Sequence, residues 1–200
     1  MSAKLTFLFL LIGLNIFGQA DHTRYTIEYS LHYSGALELK TIESSLAHSV
    51  FAKVELASKR TWRISFGIAF IQPRIILRDH SGQQPYRDHE FHYQYNYLVI
   101  PAGIKFNLGS FYLHPEIGNI FYQTLLIKTY VVDEEMNKIN GPSKDHYSTG
   151  QFEFKLATLM TIGYEVKVGS VNLLTGIKGY FAFPGSINTY GIGLVLGVKI

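Results

Sequence analysis

The chain has 200 residues, a net charge of +3 and no cysteine, and 16% of its residues are charged, against about 25% in an ordinary soluble domain. The charge is too small and too evenly spread to point to nucleic acid. The missing thiols exclude disulfides, thiol catalysis, zinc–thiolate sites and a lipidated cysteine anchor.

In chain order, Lys4 is followed by an apolar stretch, Leu5 to Leu14, and then by the small residues of Gly18-Gln19-Ala20. This is the layout of a cleaved export signal, and its core falls short of the roughly 20 apolar residues a permanent helix needs to span a bilayer. Residues 1–20 are therefore expected to be a signal peptide and 21–200 the mature domain.

The mature sequence then repeats with period two, the mark of strands whose two faces differ. Tyr25, Ile27, Tyr29, Leu31 and Tyr33 alternate with Glu28, Ser30 and His32; Val50, Ala52, Val54 and Leu56 with Lys53 and Glu55; Trp62, Ile64, Phe66, Ile68 and Phe70 with Arg63. Leu98, Ile100, Ala102, Ile104 and Phe106 alternate with Lys105; Phe111, Leu113, Pro115 and Ile117 with His114 and Glu116. Phe152, Phe154, Leu156, Met160, Ile162, Tyr164 and Val166 face away from Glu153, Lys155 and Glu165. Val171, Leu173, Ile177 and Phe181 oppose Lys178, and an eighth segment, Tyr190 to Ile200, opposes Lys199. In all eight, the charges fall on one parity and the large apolar groups on the other.

Period alone does not say which face is inside. Three features favour a barrel with its apolar face turned to lipid. Connections alternate between short turns (57–61, 107–110, 167–170) and longer links (34–47, 71–95, 122–151), with a modest 183–189 before the last strand, as in outer-membrane barrels. Aromatic residues gather near strand ends on the apolar face: Tyr25, Trp62, Phe106, Phe111, Phe121, Phe152, Tyr164, Phe181 and Tyr190. The polar face is rich in small residues (Gly67, Ala69, Gly103, Gly118, Gly176, Gly193, Gly197), which leave room for charged side chains inside a narrow eight-stranded barrel. The expected fold is all-β, an eight-stranded antiparallel up-and-down transmembrane barrel whose last strand pairs with its first, since closure removes edges that lipid cannot hydrogen-bond.

The stretch YNYLVIPAGIKFNLGSFYLHPEIGNIFYQTLL (95–126) resembles the PorT-like family of outer-membrane β-barrels, on Tyr97, Leu98, Ile100, Pro101, Lys105, Phe106, Gly109, Tyr112 and Gly118. The resemblance implies an outer-membrane location, insertion by the barrel assembly machinery and, for the family's named type, a link to protein secretion. The chain departs from many such barrels in ending on Ile200 rather than Phe or Trp. Asn119 also lies on the lipid-facing parity, which points to a bulge or to the strand leaving the membrane there. Pro101 has no amide to give a ladder, so a bulge is expected at Pro101.

The charges Glu28, Lys53, Glu55, Arg63, Lys105, Glu116, Glu153, Lys155, Glu165 and Lys178, with Lys199, are read as a structural network of ion pairs that plugs the interior; a narrow conduit is the sharper alternative. Asp79, His80, Asp88, His89, Glu90 and His92 hold metal-ligand chemistry without the spacing of a known site. Asp133, Glu134 and Glu135 lack the alternation of a calcium loop. No Gly-x-Ser-x-Gly elbow appears, so no enzyme, cofactor or metal is expected. Outer-membrane lipid is the expected surrounding, with segments 71–95 and 122–151 open to an envelope partner. The remaining alternatives are an accessory barrel of a secretion system, a membrane-embedded hydrolase using His89 or His92, and a soluble barrel binding lipid inside.

Overall fold

The computed structural model describes residues 23–36, 42–57, 61–79, 88–132, 145–151, 155–183 and 188–200. The signal-peptide reading of residues 1–20 lies outside them. Ten strand segments follow one another: β1 (Thr23–Ala36), β2 (Ile42–Ala57), β3 (Trp62–Gln72), β4 (Arg74–Asp79), β5 (Asp88–Leu108), β6 (Phe111–Val132), β7 (Asp145–Gln151), β8 (Lys155–Val168), β9 (Val171–Phe183) and β10 (Thr189–Lys199). β3 and β4 form one stave interrupted at Pro73, and β7 and β8 both pair with β6, so ten segments make eight staves. All pairings are antiparallel, and β1 pairs with β10 to close the ring. Tyr25 and Ile200 exchange both backbone bonds, at 3.0 and 2.9 Å.

The alternation fixes the sides. Ile27, Tyr29, Leu31, Ile64, Ile104, Ile117, Ile162, Ile177, Leu194 and Leu196 are exposed on the outer face, while Glu28, Lys53, Glu55, Lys105, Glu116, Lys178 and Lys199 are buried inside. The alternative of a soluble barrel with these apolar faces packed inward is thereby overturned. At the short-turn rim Trp62 pairs with Phe106 and Phe111 with Tyr164, whose rings meet edge to face at 5.0 Å. On the other rim Phe181 and Tyr190 are cross-strand neighbours.

Three expectations need correction. Most of the segments read as loops 71–95 and 122–151 is sheet: β4, the first half of β5, the second half of β6 and β7 form a wall that rises past the apolar band. On β5 the outer face is apolar from Leu98 to Phe106, about the 9–11 residues that cross a bilayer, and polar before it at His92, Gln94 and Asn96. Hydrogen bonds from Gln72 to Asn96 (2.7 Å) and Asn96 to Thr124 (2.8 Å) run across three staves at that border.

Second, the bulge lies at Phe121 rather than Pro101. Leu98 pairs with Tyr122 and Val99 with Ile120, leaving Phe121 extra, two residues beyond Asn119. Pairing of β5 with β6 continues through Pro101, whereas pairing with β3 lapses opposite Ile100 and Pro101 and resumes in the same register. The proline drops its missing bond from one ladder without adding a residue.

Third, the interior is not charged throughout. The loop-side half is filled by Phe51, Ala69, Ile71, Ile75, Tyr95, Tyr97, Val99, Ile120, Leu159 and Tyr180, a continuous apolar and aromatic cluster. The two groups of paired charges that join Glu28, Lys53, Glu116 and Lys178, and Glu55, Arg63, Lys105, Glu165 and Lys199, occupy the half nearer the short turns.

Candidate functional site: the barrel interior

Inward positions of seven staves bring eight of the ten expected charges together, and Lys199 adds the eighth stave. In the deeper group the Lys53 ammonium lies 3.2 Å from Glu28 Oε2 and 2.7 Å from Glu116 Oε2, and Lys178 also meets Glu28. In the group nearer the short turns Lys105 lies 3.3 Å from Glu55 and 3.0 Å from Glu165, Arg63 lies 3.3 Å from Glu55, and Lys199 joins both carboxylates. Thr26 donates to Glu55 and Asn172 to Glu165. Buried charges are stable only when paired and hydrogen-bonded in this way, since each would otherwise lose its hydration uncompensated.

Glu153 lies outside the described residues. Lys155 is half-buried opposite Ile120, on the loop side of the apolar cluster and away from both groups.

Sequence reasoning missed Phe51 as the residue that joins the two halves. Lys178 Nζ sits 3.5 Å and Lys53 Nζ 5.1 Å from its ring centroid, so the negative ring face caps the ionic layer while its edge joins the apolar one. The signal was present: Phe51 is the one large apolar residue on the inward parity of its segment.

A second pair also escaped notice. Ser65 Oγ and His114 Nε2 are 2.6 Å apart, with Glu116 Oε1 3.7 Å from the same nitrogen. An activating triad needs the acid on the other ring nitrogen, and His114 Nδ1 has no partner. All three residues are buried.

Of the expected hydrolase and metal residues, the side chains of Glu90 and His92 are described. His92 lies on the outer face of β5 beside Glu90, its ring 4.7 Å from that of Tyr130. The side chains of Asp79, Asp88 and His89, all of His80, and the run 133–135 lie outside the described residues. Among the described residues no cluster of three ligating side chains occurs.

No protein-family model and no curated protein matches the sequence, so the PorT-like resemblance stands on its motif residues alone. Solved structures with a similar course include Ail, the attachment invasion locus protein of Yersinia pestis, in complex with the heparin analogue sucrose octasulfate (13% identity, 90% of this chain and 99% of that one, TM-score 0.48). Neisserial surface protein A is similar over 89% and 96% of the two chains at 15% identity and TM-score 0.42. The outer membrane protease OmpT of Escherichia coli is similar over 90% and 97% at 7% identity and TM-score 0.47. Identities and scores at this level bring no activity across.

Proposed function

We propose that this chain is an integral outer-membrane barrel with a structural or binding role, which works by presenting surface rather than by conducting or catalysing. The observation that carries this reading is the two-layer interior: a charged half closed by paired side chains, and an apolar half stacked on it through Phe51. Such a filling leaves an eight-stranded barrel no aqueous path. What remains available to a partner is the wall of β4, β5, β6 and β7 that stands past the apolar band. Lipid surrounds that band, and insertion would fall to the barrel assembly machinery. The resemblance to PorT-like proteins adds an accessory role in secretion as the first partner system to examine.

The absence of cysteine makes the test clean. Single cysteines placed at Gln94, Ile104 and Lys167 are treated with a membrane-impermeant maleimide. On intact cells only Gln94→Cys should label, Lys167→Cys should label after permeabilisation, and Ile104→Cys should stay protected. Labelling of Ile104→Cys in a soluble fraction would overturn the reading. In planar bilayers the intact protein should give no steady conductance steps.

A further inference from the structure

The short-turn mouth of the barrel carries an unbalanced charge. Among the described residues five inward-parity cations ring it, one each on β1 (Arg24), β3 (Arg63), β5 (Lys105), β8 (Lys167) and β10 (Lys199), and the inward side-chain carboxylates at that level are Glu55 and Glu165. Both carboxylates are already shared among Arg63, Lys105 and Lys199. Arg24 and Lys167 have no carboxylate partner among the described residues, and Lys167 is exposed at the strand tip. The Arg63 guanidinium spends Nη1 on Glu55 and keeps a buried Nε with no partner. The deeper group, by contrast, balances two lysines against two glutamates.

Like charges gathered at one end of a low-dielectric wall repel one another and attract anions. Lys105 and Lys199 are buried, so the mouth has a floor, and a ligand rests on the rim instead of entering. The free cations belong to different staves, Arg24 on β1 and Lys167 on β8, and do not converge on one point. One small anion cannot bridge them, whereas a chain bearing several carboxylates can.

We propose that the short-turn mouth is a docking site for an acidic polypeptide segment of a partner on that side of the membrane. Arg24 and Lys167 make the accessible ion pairs, and the surplus charge of the Arg63, Lys105 and Lys199 group supplies the field behind them. The proposal depends on the closed barrel and not on how the opposite, raised wall is used.

The test uses the full chain in nanodiscs, where both ends are open, and a fluorescent peptide of alternating Glu and Gly as probe. Anisotropy should report binding that weakens steeply with salt, while the matching Gln–Gly peptide should not bind. Arg24→Gln with Lys167→Gln should weaken binding about tenfold or more, and Arg74→Gln with Lys128→Gln, at the other end, should leave it unchanged. Equal binding of the Gln–Gly peptide, or equal loss from the loop-end variant, would overturn the proposal. So would tight binding of polyphosphate with none of the Glu–Gly peptide, which would make the mouth a phosphate site. The two peptides are compared on the unmodified protein, so this arm stands even if a variant fails to fold. Loss of peptide binding with cysteine labelling intact would sink this proposal and leave the proposed function standing.

Discussion

Lys178 Nζ lies 3.5 Å from the centre of the Phe51 ring while also touching the Glu28 carboxylate. One lysine thus belongs to both layers of the interior. Below the ring the packing is ionic, above it apolar, and the ring stands between the two chemistries.

Removing the ring should therefore be costly. Phe51→Ala opens a cavity where both layers meet, and an expected loss of about 3–5 kcal/mol follows from core truncations of this size. Phe51→Leu keeps most of the volume and should cost less than half as much. Urea unfolding in lipid vesicles measures both, and equal small losses would show that the ring is not the seam.

Glu28 holds two buried ammonium groups. Glu28→Gln leaves Lys53 with Glu116 alone and Lys178 with no carboxylate, and should cost about 3–5 kcal/mol. Lys178→Met added to Glu28→Gln removes the stranded charge and should recover a large part of that. The same unfolding measurement decides, and a double variant no better than the single would contradict the network.

Gly193 permits closure. A Cβ there would stand 2.0 Å from the Leu31 carbonyl oxygen and 2.3 Å from His32 Cα, both backbone of the strand that completes the ring. Gly179 on the outer face has only the Gly191 oxygen near, at 3.7 Å. Gly193→Ala should sharply reduce the folded yield, and Gly179→Ala should leave it unchanged, read as the fraction of protease-resistant barrel after refolding.

The Phe121 bulge predicts where a deletion is harmless. Ile120 points inward and Tyr122 pairs with outward Leu98, so removing Phe121 leaves an uninterrupted alternation. Deleting Ile117 instead shifts the strand by one and turns its faces over. Folded yield should survive the first deletion and collapse in the second.

The barrel was legible because lipid and a charged interior impose opposite chemistry on successive residues, as at Tyr29, Leu31 and their neighbours Glu28 and His32. The wall was not, because its rule is inverted. In HEFHYQYNY the large residues Phe91, Tyr93, Tyr95 and Tyr97 share the parity of Lys105, and the polar His92, Gln94 and Asn96 that of Ile104. Outside the bilayer water takes the place of lipid, so the apolar side turns inward while the strand runs straight on. An eye set to one rule reads that stretch as loop. The ionic residues could be named from parity, but their division into two groups could not, because partners lie up to 150 positions apart in the chain.

The most direct measurement is electrophoresis in SDS of the vesicle-reconstituted chain, with and without boiling. A closed membrane barrel with a packed interior resists SDS until heated and should migrate faster unboiled, as a discrete band. Identical mobility of the two samples, from chain that had inserted into the vesicles, would contradict the closed, filled barrel on which the rest of the account stands.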